Sequence, residues 1–391
     1  MTSTSAQDDP QPQSKWRQLM ARFARVTSSG NYMPEVDGLR FIAIMAVVLF
    51  HAHILFFNGD IPVGITWTPG WDWLGFAVGQ GWFGVQVFFV ISGFVLGLPF
   101  AAHRLQGRKP VDMKNYYLRR SVRIGVPYII ALTAGLIVYC AMDGNPWSDG
   151  LPHWAAGMLY SHSLFYDGGL NPLLFVSWTL EIEIQFYLLA PFLCSVFKLK
   201  SAAVRRLVLL AGVFGIHALV GEGMFYFPSQ LWKHSILGQI QFFLIGILLS
   251  DLYVSRWSES PSSRWWWDVI GAAAWLWIPF ALKIPAMDRW LPILLLVAFT
   301  SVMRGRWLKA LLSQPLVATI GGMCYSIYLF HGAALYWVTY NVTIPLFGFE
   351  KGDWPFNLLP LAFTVVLTLA ACAVAYQLIE RPTMRWRGKK K

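Results

Sequence analysis

The sequence predicts an all-α integral membrane protein, a bundle of about ten transmembrane helices with both termini in the cytoplasm. Three observations support this fold class. Of the 391 residues, 56% are hydrophobic and 13% are charged, and the mean hydropathy is +0.49, whereas soluble domains carry about 25% charged residues. Apolar runs of helix length recur along the chain, and the positive charges lie almost entirely on one predicted side of them.

Ten apolar runs have roughly the 20 residues that a helix needs to cross the hydrocarbon core. They cover residues 39–57, 81–101, 122–142, 174–197, 205–222, 233–253, 266–284, 289–303, 315–339 and 355–379. We expect the transmembrane domain to extend over 33–382. Residues 1–32 are predicted to be a disordered tail and a basic amphipathic segment on the membrane surface, and 383–391 a basic cytoplasmic tail.

The distribution of positive charge sets the expected orientation. With the N-terminus in the cytoplasm, 27 of the 31 lysines and arginines lie on the cytoplasmic side, as the positive-inside rule requires. The net charge of +11 therefore follows from topology and does not indicate nucleic-acid binding. The four cysteines lie far apart in apolar runs without a CxxC pair, so we expect small buried side chains and no metal site.

The first predicted helix carries two ionisable residues, Arg40 and His51, separated by ten uncharged residues. Eleven helical steps of about 100° end about 20° beyond three full turns, so the two side chains share a face, about 16.5 Å apart along the axis. His51 would lie beyond the midplane, where an ionisable group usually faces a cavity or a partner. Each residue also has a plainer explanation: Arg40 as a snorkelling cation and His51 as a hydrogen-bond partner of a neighbouring helix.

Two further helices carry polar residues at about the same depth. The fourth run contains Glu181 and Glu183, which are about 200° apart and face opposite sides of the helix, so the sequence does not decide which one faces a site. Tyr187 follows Glu183 at i+4 and extends the same polar stripe. Ser92, in the second run, lies at a similar height, where close packing of small residues is the alternative explanation.

Arginines gather at the cytoplasmic mouth of the third helix. Arg120 and Arg123 are three residues apart and share a face, and Arg119 precedes them. The guanidinium fork matches phosphate oxygens. With Arg40, these residues would form a polyphosphate-binding funnel, although positive-inside anchoring explains them equally well.

Six stretches of the chain occur in an order that is typical of one family. They are "DGLR" at 37–40 followed by His51, "GVQVFFVISGF" at 84–94, "RRSVRI" at 119–124, "SWTLEIEIQFY" at 177–187, "YSIYLFH" at 325–331 and "IERP" at 379–382. Over about residues 33 to 382 the chain thus resembles the acyltransferase-3 family of integral membrane acyltransferases. The resemblance implies transfer of an acyl group, most often acetyl, from cytoplasmic acyl-CoA to a hydroxyl of a carbohydrate or lipid-linked glycan, at a bacterial inner membrane.

The resemblance also implies roles for particular residues. Acyl-CoA would be a co-substrate, with no permanently bound cofactor, and its phosphates would meet Arg40, Arg119, Arg120 and Arg123. His51 would act as a general base or would itself be acylated, and Glu183 would orient its imidazole. Five residues would bind substrate: Tyr328 and His331 on the acceptor side, Ser92 and Trp178 as candidate oxyanion donors, and Tyr187.

Other function classes stay open at this point. Buried polar groups alone would also fit a transporter or flippase for a glycan or small molecule without acyl chemistry, although the chain has no evident inverted halves. A receptor or scaffold would bind no acyl-CoA. The sequence does not distinguish acetyl from longer acyl donors, direct transfer from an acyl-enzyme, or a monomer from a homo-oligomer.

Overall fold

In the computed structural model the chain is helical, and no strand occurs in the part that the structure describes. That part comprises residues 32–56, 72–221, 231, 233–258, 263–282, 284, 287–348 and 357–385. The surface segment predicted before residue 32 and the end of the basic tail after residue 385 lie outside these ranges.

The helices follow the predicted apolar runs and add short helices between them. In chain order they are α1 Pro34–Phe56, α2 Asp72–Gly79, α3 Gly84–Gln106, α4 Met113–Ile137, α5 Trp147–Met158, α6 His162–Phe165, α7 Ser177–Leu193, α8 Ala202–Gly221, α9 Ile236–Leu252, α10 Trp265–Ala281, α11 Leu291–Arg304, α12 Trp307–Leu312, α13 Pro315–Gly322, α14 Cys324–Val338, α15 Ile344–Phe347, α16 Leu358–Ala375 and α17 Arg381–Arg385. Helices α4, α9, α14 and α16 each continue into a π-helical turn, and α7 continues into a 3-10 turn.

Six of the described helical segments are long and apolar enough to cross a membrane, or seven if α13 and the helix after it form one span bent by 72°. Every predicted run coincides with a helix, but α10 and α11 have only 17 and 14 residues. At 1.5 Å per residue the shorter one covers about 21 Å, less than a hydrocarbon core of about 30 Å. An all-helical protein with membrane-spanning helices is therefore confirmed, whereas length and composition give six or seven spans.

The centre of the bundle is a close crossing of α3 and α9. Residues 238 to 251 of α9 are buried without interruption. A Cβ added to Gly93 would overlap the backbone carbonyl of Phe243, and one added to Gly246 would overlap that of Val90. Small residues let helix backbones approach each other in this way. The crossing fixes α3, so that Ser92, next to Gly93, faces α7.

The bend between α13 and α14 starts a new helix inside the bundle. Gly321 packs against the backbone carbonyl of Asp37 in α1, at a distance that leaves no room for a Cβ. The backbone N–H and the hydroxyl of Ser326 donate to Oε2 of Glu380 at 2.9 and 2.6 Å. Because N–H groups in the first turn of a helix have no partner within it, this carboxylate caps the start of α14 and stabilises the break.

Two other buried carboxylates are held by structural contacts. Asp251 accepts from Nε of Arg205 at 2.6 Å and from Nε of Arg206 at 2.8 Å. Asp268 accepts from three consecutive backbone N–H groups at the start of α12, at 2.9 to 3.0 Å. Buried charges need such partners, so both groups are explained by the fold.

Candidate active site

An open cavity lies between α1, α3, α4, α7 and α14, with about 820 Å³ of empty space including its mouth. One part of its wall is apolar and is formed mainly by α3. The polar part of the wall carries Arg40, Ser92, Arg120, Arg123, Thr179, Glu183, Tyr187, Tyr325 and Tyr328. A concave site with a few converging polar groups is the usual form of a small-molecule binding site.

The structure brings three of the four predicted arginines together. Arg40, Arg120 and Arg123 line the cavity. Arg119 is exposed and does not belong to the lining, because it is one residue from Arg120 and points about 100° away. The guanidinium of Arg120 lies over the ring of Tyr187, 5.6 Å from its centroid, a cation–π arrangement.

Arg40 is buried and forms an ion pair with Asp37, one helical turn before it. The i, i+3 spacing places both side chains on one face of α1. Asp37 was not among the predicted site residues, although the i, i+3 spacing of Asp37 and Arg40 within "DGLR" indicates an ion pair between them. The pair holds the guanidinium in place and offsets part of its charge.

Glu183 lies on the cavity wall and is held by two hydroxyl donors. Ser92 Oγ donates to Oε1 of Glu183 at 3.0 Å, and the hydroxyl of Tyr187 donates to the same oxygen. Glu181 faces the other side of α7, is buried, and accepts from the backbone N–H of Ser163 at 2.9 Å. The question that the sequence left open is thus answered: Glu183 is the carboxylate at the cavity.

His51 pairs with His331 and not with Glu183. Nε2 of His331 lies 3.1 Å from Nδ1 of His51, and the ring centroids are 4.9 Å apart. His331 is fully buried and His51 is half-buried beside Phe50 and Phe175. The expectation that Glu183 orients this imidazole is not met by the described contacts: His51 Nδ1 contacts Val47 and His331, whereas Glu183 accepts from Ser92 and Tyr187.

Tyr328 connects the cavity to the histidine pair. Its side chain lines the cavity, and its ring centroid lies 6.0 Å from that of His331, one turn further along α14. Thr179 Oγ1 donates to the Tyr328 hydroxyl at 2.8 Å, and this hydroxyl donates to the carbonyl of Val176 at 3.3 Å. Tyr328 thus contacts His331 from the cavity wall, and neither His51 nor His331 is itself among the residues that line the cavity.

Of the predicted substrate-binding residues, Ser92, Tyr187 and Tyr328 line the cavity, His331 lies behind Tyr328, and Trp178 lies elsewhere. It does not line the cavity, and its ring packs against His234 with centroids 4.5 Å apart. Nδ1 of His234 in turn lies 2.6 Å from the carbonyl of Gly168. Trp178 thus lies beside the segment that connects α6 and α7, and no pattern in the sequence predicts its contact with His234.

Among the described residues no three His, Cys, Asp or Glu side chains form a group that could hold a metal ion. Cys140, Cys194, Cys324 and Cys372, all within the described part of the chain, are buried and form no disulfide, and Cys324 reaches the cavity wall. The polar groups at the cavity and beside it are guanidiniums, hydroxyls, one carboxylate and two imidazoles. This set can bind an anion and move a proton.

Comparison with known proteins gives one family and one group of relatives. A family model described as an acyltransferase domain matches residues 33–379. The chain is 23% identical over 396 residues to O-acetyltransferase OatA of Staphylococcus aureus strains NCTC 8325 and COL, and the match covers 93% of this chain and 58% of OatA. The chain thus spans less than three fifths of the length of these relatives. No solved structure gives a significant match.

Proposed function

The chain belongs to the acyltransferase-3 family, and we propose that it is a membrane-bound O-acyltransferase. The donor is cytoplasmic acyl-CoA, with acetyl as the group transferred. The acceptor is a hydroxyl of a carbohydrate or of a lipid-linked glycan. The relatives that are named O-acetyltransferases support this chemistry, and the family match does not favour a transporter or flippase without acyl transfer.

The proposed topology is ten crossings of a bacterial inner membrane with both termini in the cytoplasm. The distribution of 27 of 31 positive residues supports this orientation. Helices α8, α10 and α11 supply the crossings beyond the six or seven that length and composition give. In this orientation the arginine-lined mouth of the cavity faces the cytoplasm, where acyl-CoA is found.

The observation that carries the proposal is the convergence of Arg40, Arg120 and Arg123 on one cavity. A further wall residue of this cavity, Tyr328, packs against His331, the partner of His51. The guanidinium forks bind the phosphates of coenzyme A. The thioester arm then runs along the apolar wall formed by α3 towards Tyr328. One cavity thus offers guanidiniums to the polyanionic phosphate end of coenzyme A and an apolar wall to its thioester arm.

His51 takes the proton from the acceptor hydroxyl as the hydroxyl oxygen attacks the thioester carbonyl carbon. A carbon–oxygen bond forms, the carbon–sulfur bond breaks, and the coenzyme A thiolate takes up the proton. In the two-step alternative the imidazole is acylated first and passes the group to the acceptor. Ser92, Tyr187 and Tyr328 contact the donor or acceptor from the cavity wall.

The test is His51→Ala in membrane vesicles with labelled acetyl-CoA, with label in the glycan fraction as the readout. Loss of a general base lowers the rate about 10²- to 10⁴-fold. The matched control is His53→Gln, which removes a second buried imidazole from the same helix. Near-normal labelling by a folded His51→Ala protein would remove His51 from the mechanism.

A further inference from the structure

Backbone contacts fix the proton position on His331. Its Nδ1 lies 2.8 Å from the carbonyl oxygen of Tyr328 and 3.1 Å from that of Ile327. A carbonyl oxygen only accepts hydrogen bonds, so Nδ1 must carry the hydrogen. In the neutral ring Nε2 then has a lone pair, and this atom points at His51.

The same reasoning carries over to His51. Its Nδ1 lies 2.9 Å from the carbonyl oxygen of Val47 and 3.1 Å from Nε2 of His331. Both neighbours are acceptors, so Nδ1 of His51 donates, and its hydrogen is shared between them. A neutral His51 therefore has its proton on Nδ1 and a free lone pair on Nε2. In the opposite tautomer the lone pair of His51 Nδ1 would face these two acceptors, and Nε2 of the buried His331 would be left without a donor.

We propose that His331 is a positioning residue that holds His51 in the tautomer whose Nε2 can accept a proton. The role rests on the proposed function, because it matters only if His51 acts as a base or nucleophile. Unlike the carboxylate of a Ser-His-Asp triad, the orienting group is a neutral imidazole. Within the described part of the chain, no hydrogen bond or ion pair joins either ring to a carboxylate; the rings beside them are Phe50, Phe175 and Tyr328.

The proton balance of the reaction follows from this arrangement. The hydroxyl proton moves to Nε2 of His51 as the acceptor oxygen bonds to the acyl carbon, and the same proton leaves with the coenzyme A thiol. Nδ1–H of His51 stays bonded to Val47 and His331 throughout, so the ring keeps its orientation while it is charged. In the two-step route the same free Nε2 is the atom that is acylated.

The first test reads the tautomer without any substrate. The full chain, labelled with ¹⁵N-histidine, is reconstituted in bilayers, and the signals of His51 are identified by their loss in His51→Ala. Protonated and unprotonated ring nitrogens differ strongly in ¹⁵N shift, so we expect a protonated Nδ1 and an unprotonated Nε2 in the wild-type protein. The reverse assignment, or a mixture of both tautomers, would overturn the proposal even if all variants were active.

The second test compares two substitutions at the orienting position. His331→Gln keeps an acceptor oxygen opposite His51 Nδ1, whereas His331→Phe keeps the ring and removes the acceptor. We expect His331→Phe to lower kcat about 10- to 100-fold, as loss of an orienting partner of a functional histidine does, with KM for acetyl-CoA unchanged. We expect His331→Gln to keep most of the wild-type kcat. In the ¹⁵N spectrum, we expect His331→Phe to show a mixture of the two His51 tautomers.

Equal activity of the Gln and Phe variants would overturn the positioning role. If the Phe variant does not fold, the wild-type spectrum still decides the tautomer. The outcome is also separable from that of the proposed function. Full activity of His51→Ala would show that His51 is not the base of the proposed reaction. The ¹⁵N spectra of the wild-type and His331→Phe proteins would still report whether His331 sets the protonation of His51. His53→Gln serves as the control for removal of a buried imidazole.

Discussion

The three arginines of the cavity differ in how much of their charge is available to a ligand. Arg40 is paired with Asp37 inside the bundle. Arg120 and Arg123 have no carboxylate partner within the described part of the chain, and Arg120 lies over an aromatic ring. Arg120 and Arg123 thus present guanidiniums to the cavity that no ion pair neutralises, while Arg40 supplies a donor held in place by Asp37.

This difference predicts the effect of Arg120→Gln on the donor. Because a hydrogen bond to a charged group contributes about 1.5 to 3 kcal/mol, we expect Kd for acetyl-CoA to rise about 10- to 100-fold. The measurement is the rise in unfolding temperature with added acetyl-CoA. The charge-matched control is Lys114→Gln, an exposed position on the same helix outside the cavity wall. Equal losses in both variants would point to a general effect of net charge.

Helical periodicity was enough to predict several side-chain positions. The shared face of Arg120 and Arg123 and the opposite faces of Glu181 and Glu183 are local properties of a helix, and both are found. The pairing of His51 with His331 was beyond such reasoning, because it joins residues 280 positions apart. That contact depends on how α14 packs against α1 after the bend.

At the scale of elements, the crossing of α3 and α9 predicts a sharp cost for adding volume. A Leu at Gly246 would overlap the α3 backbone at Val90 and Gly93, and overpacking typically costs about 1 to 3 kcal/mol of stability. We expect a lower unfolding temperature in detergent for Gly246→Leu. The control is Gly215→Leu on α8, where a Cβ would meet no atom within 4 Å. A similar decrease in unfolding temperature in both variants would mean that the added hydrophobic side chain, and not the helix crossing, causes the effect.

The predicted elements were right in kind and less accurate in their ends. Each apolar run is helical because hydropathy reports burial or lipid contact directly. The run predicted as one helix over 315–339 is broken at Met323, where α13 and α14 meet. The paired glycines before the break permit it, but the carboxylate that stabilises it, Glu380, is more than fifty residues away.

At the scale of the whole molecule, the segment between α5 and α7 predicts a pH-dependent stability. Burial, followed by the neighbouring His153, lowers the pKa of His162 to about 4; its Nε2 lies 2.9 Å from Nδ1 of His153, and its ring stacks on Tyr166. An unfolded histidine has a pKa of about 6.5. The unfolded chain therefore binds more protons between these values, and the free energy of unfolding decreases as pH falls from about 6.5 towards 4.

The measurement is the unfolding temperature of the purified protein between pH 7.5 and 4. Wild type should lose stability through this window, and His162→Phe should lose less, because the variant keeps a stacked ring without a titrating group. An identical pH dependence in both proteins would assign the effect to other groups.

The overall architecture was predictable only in part, for a physical reason. Composition and charge asymmetry establish membrane residence, since both reflect transfer between water and lipid. They do not determine whether shorter helices, such as α10 and α11, cross the whole hydrocarbon core. That choice depends on contacts between helices, and the sequence pattern of a single helix does not contain them.

Arg40 and His51 belong to one uninterrupted helix, α1, that runs from Pro34 to Phe56. Their spacing along the axis, about 16.5 Å, stays constant whatever the surrounding helices do. α1 therefore acts as a spacer of constant length between the two side chains. In the proposed mechanism, a donor held by its phosphates at Arg40 and shorter than this span would stop before the imidazole of His51, so α1 would set a minimum length for the carrier of the acyl group.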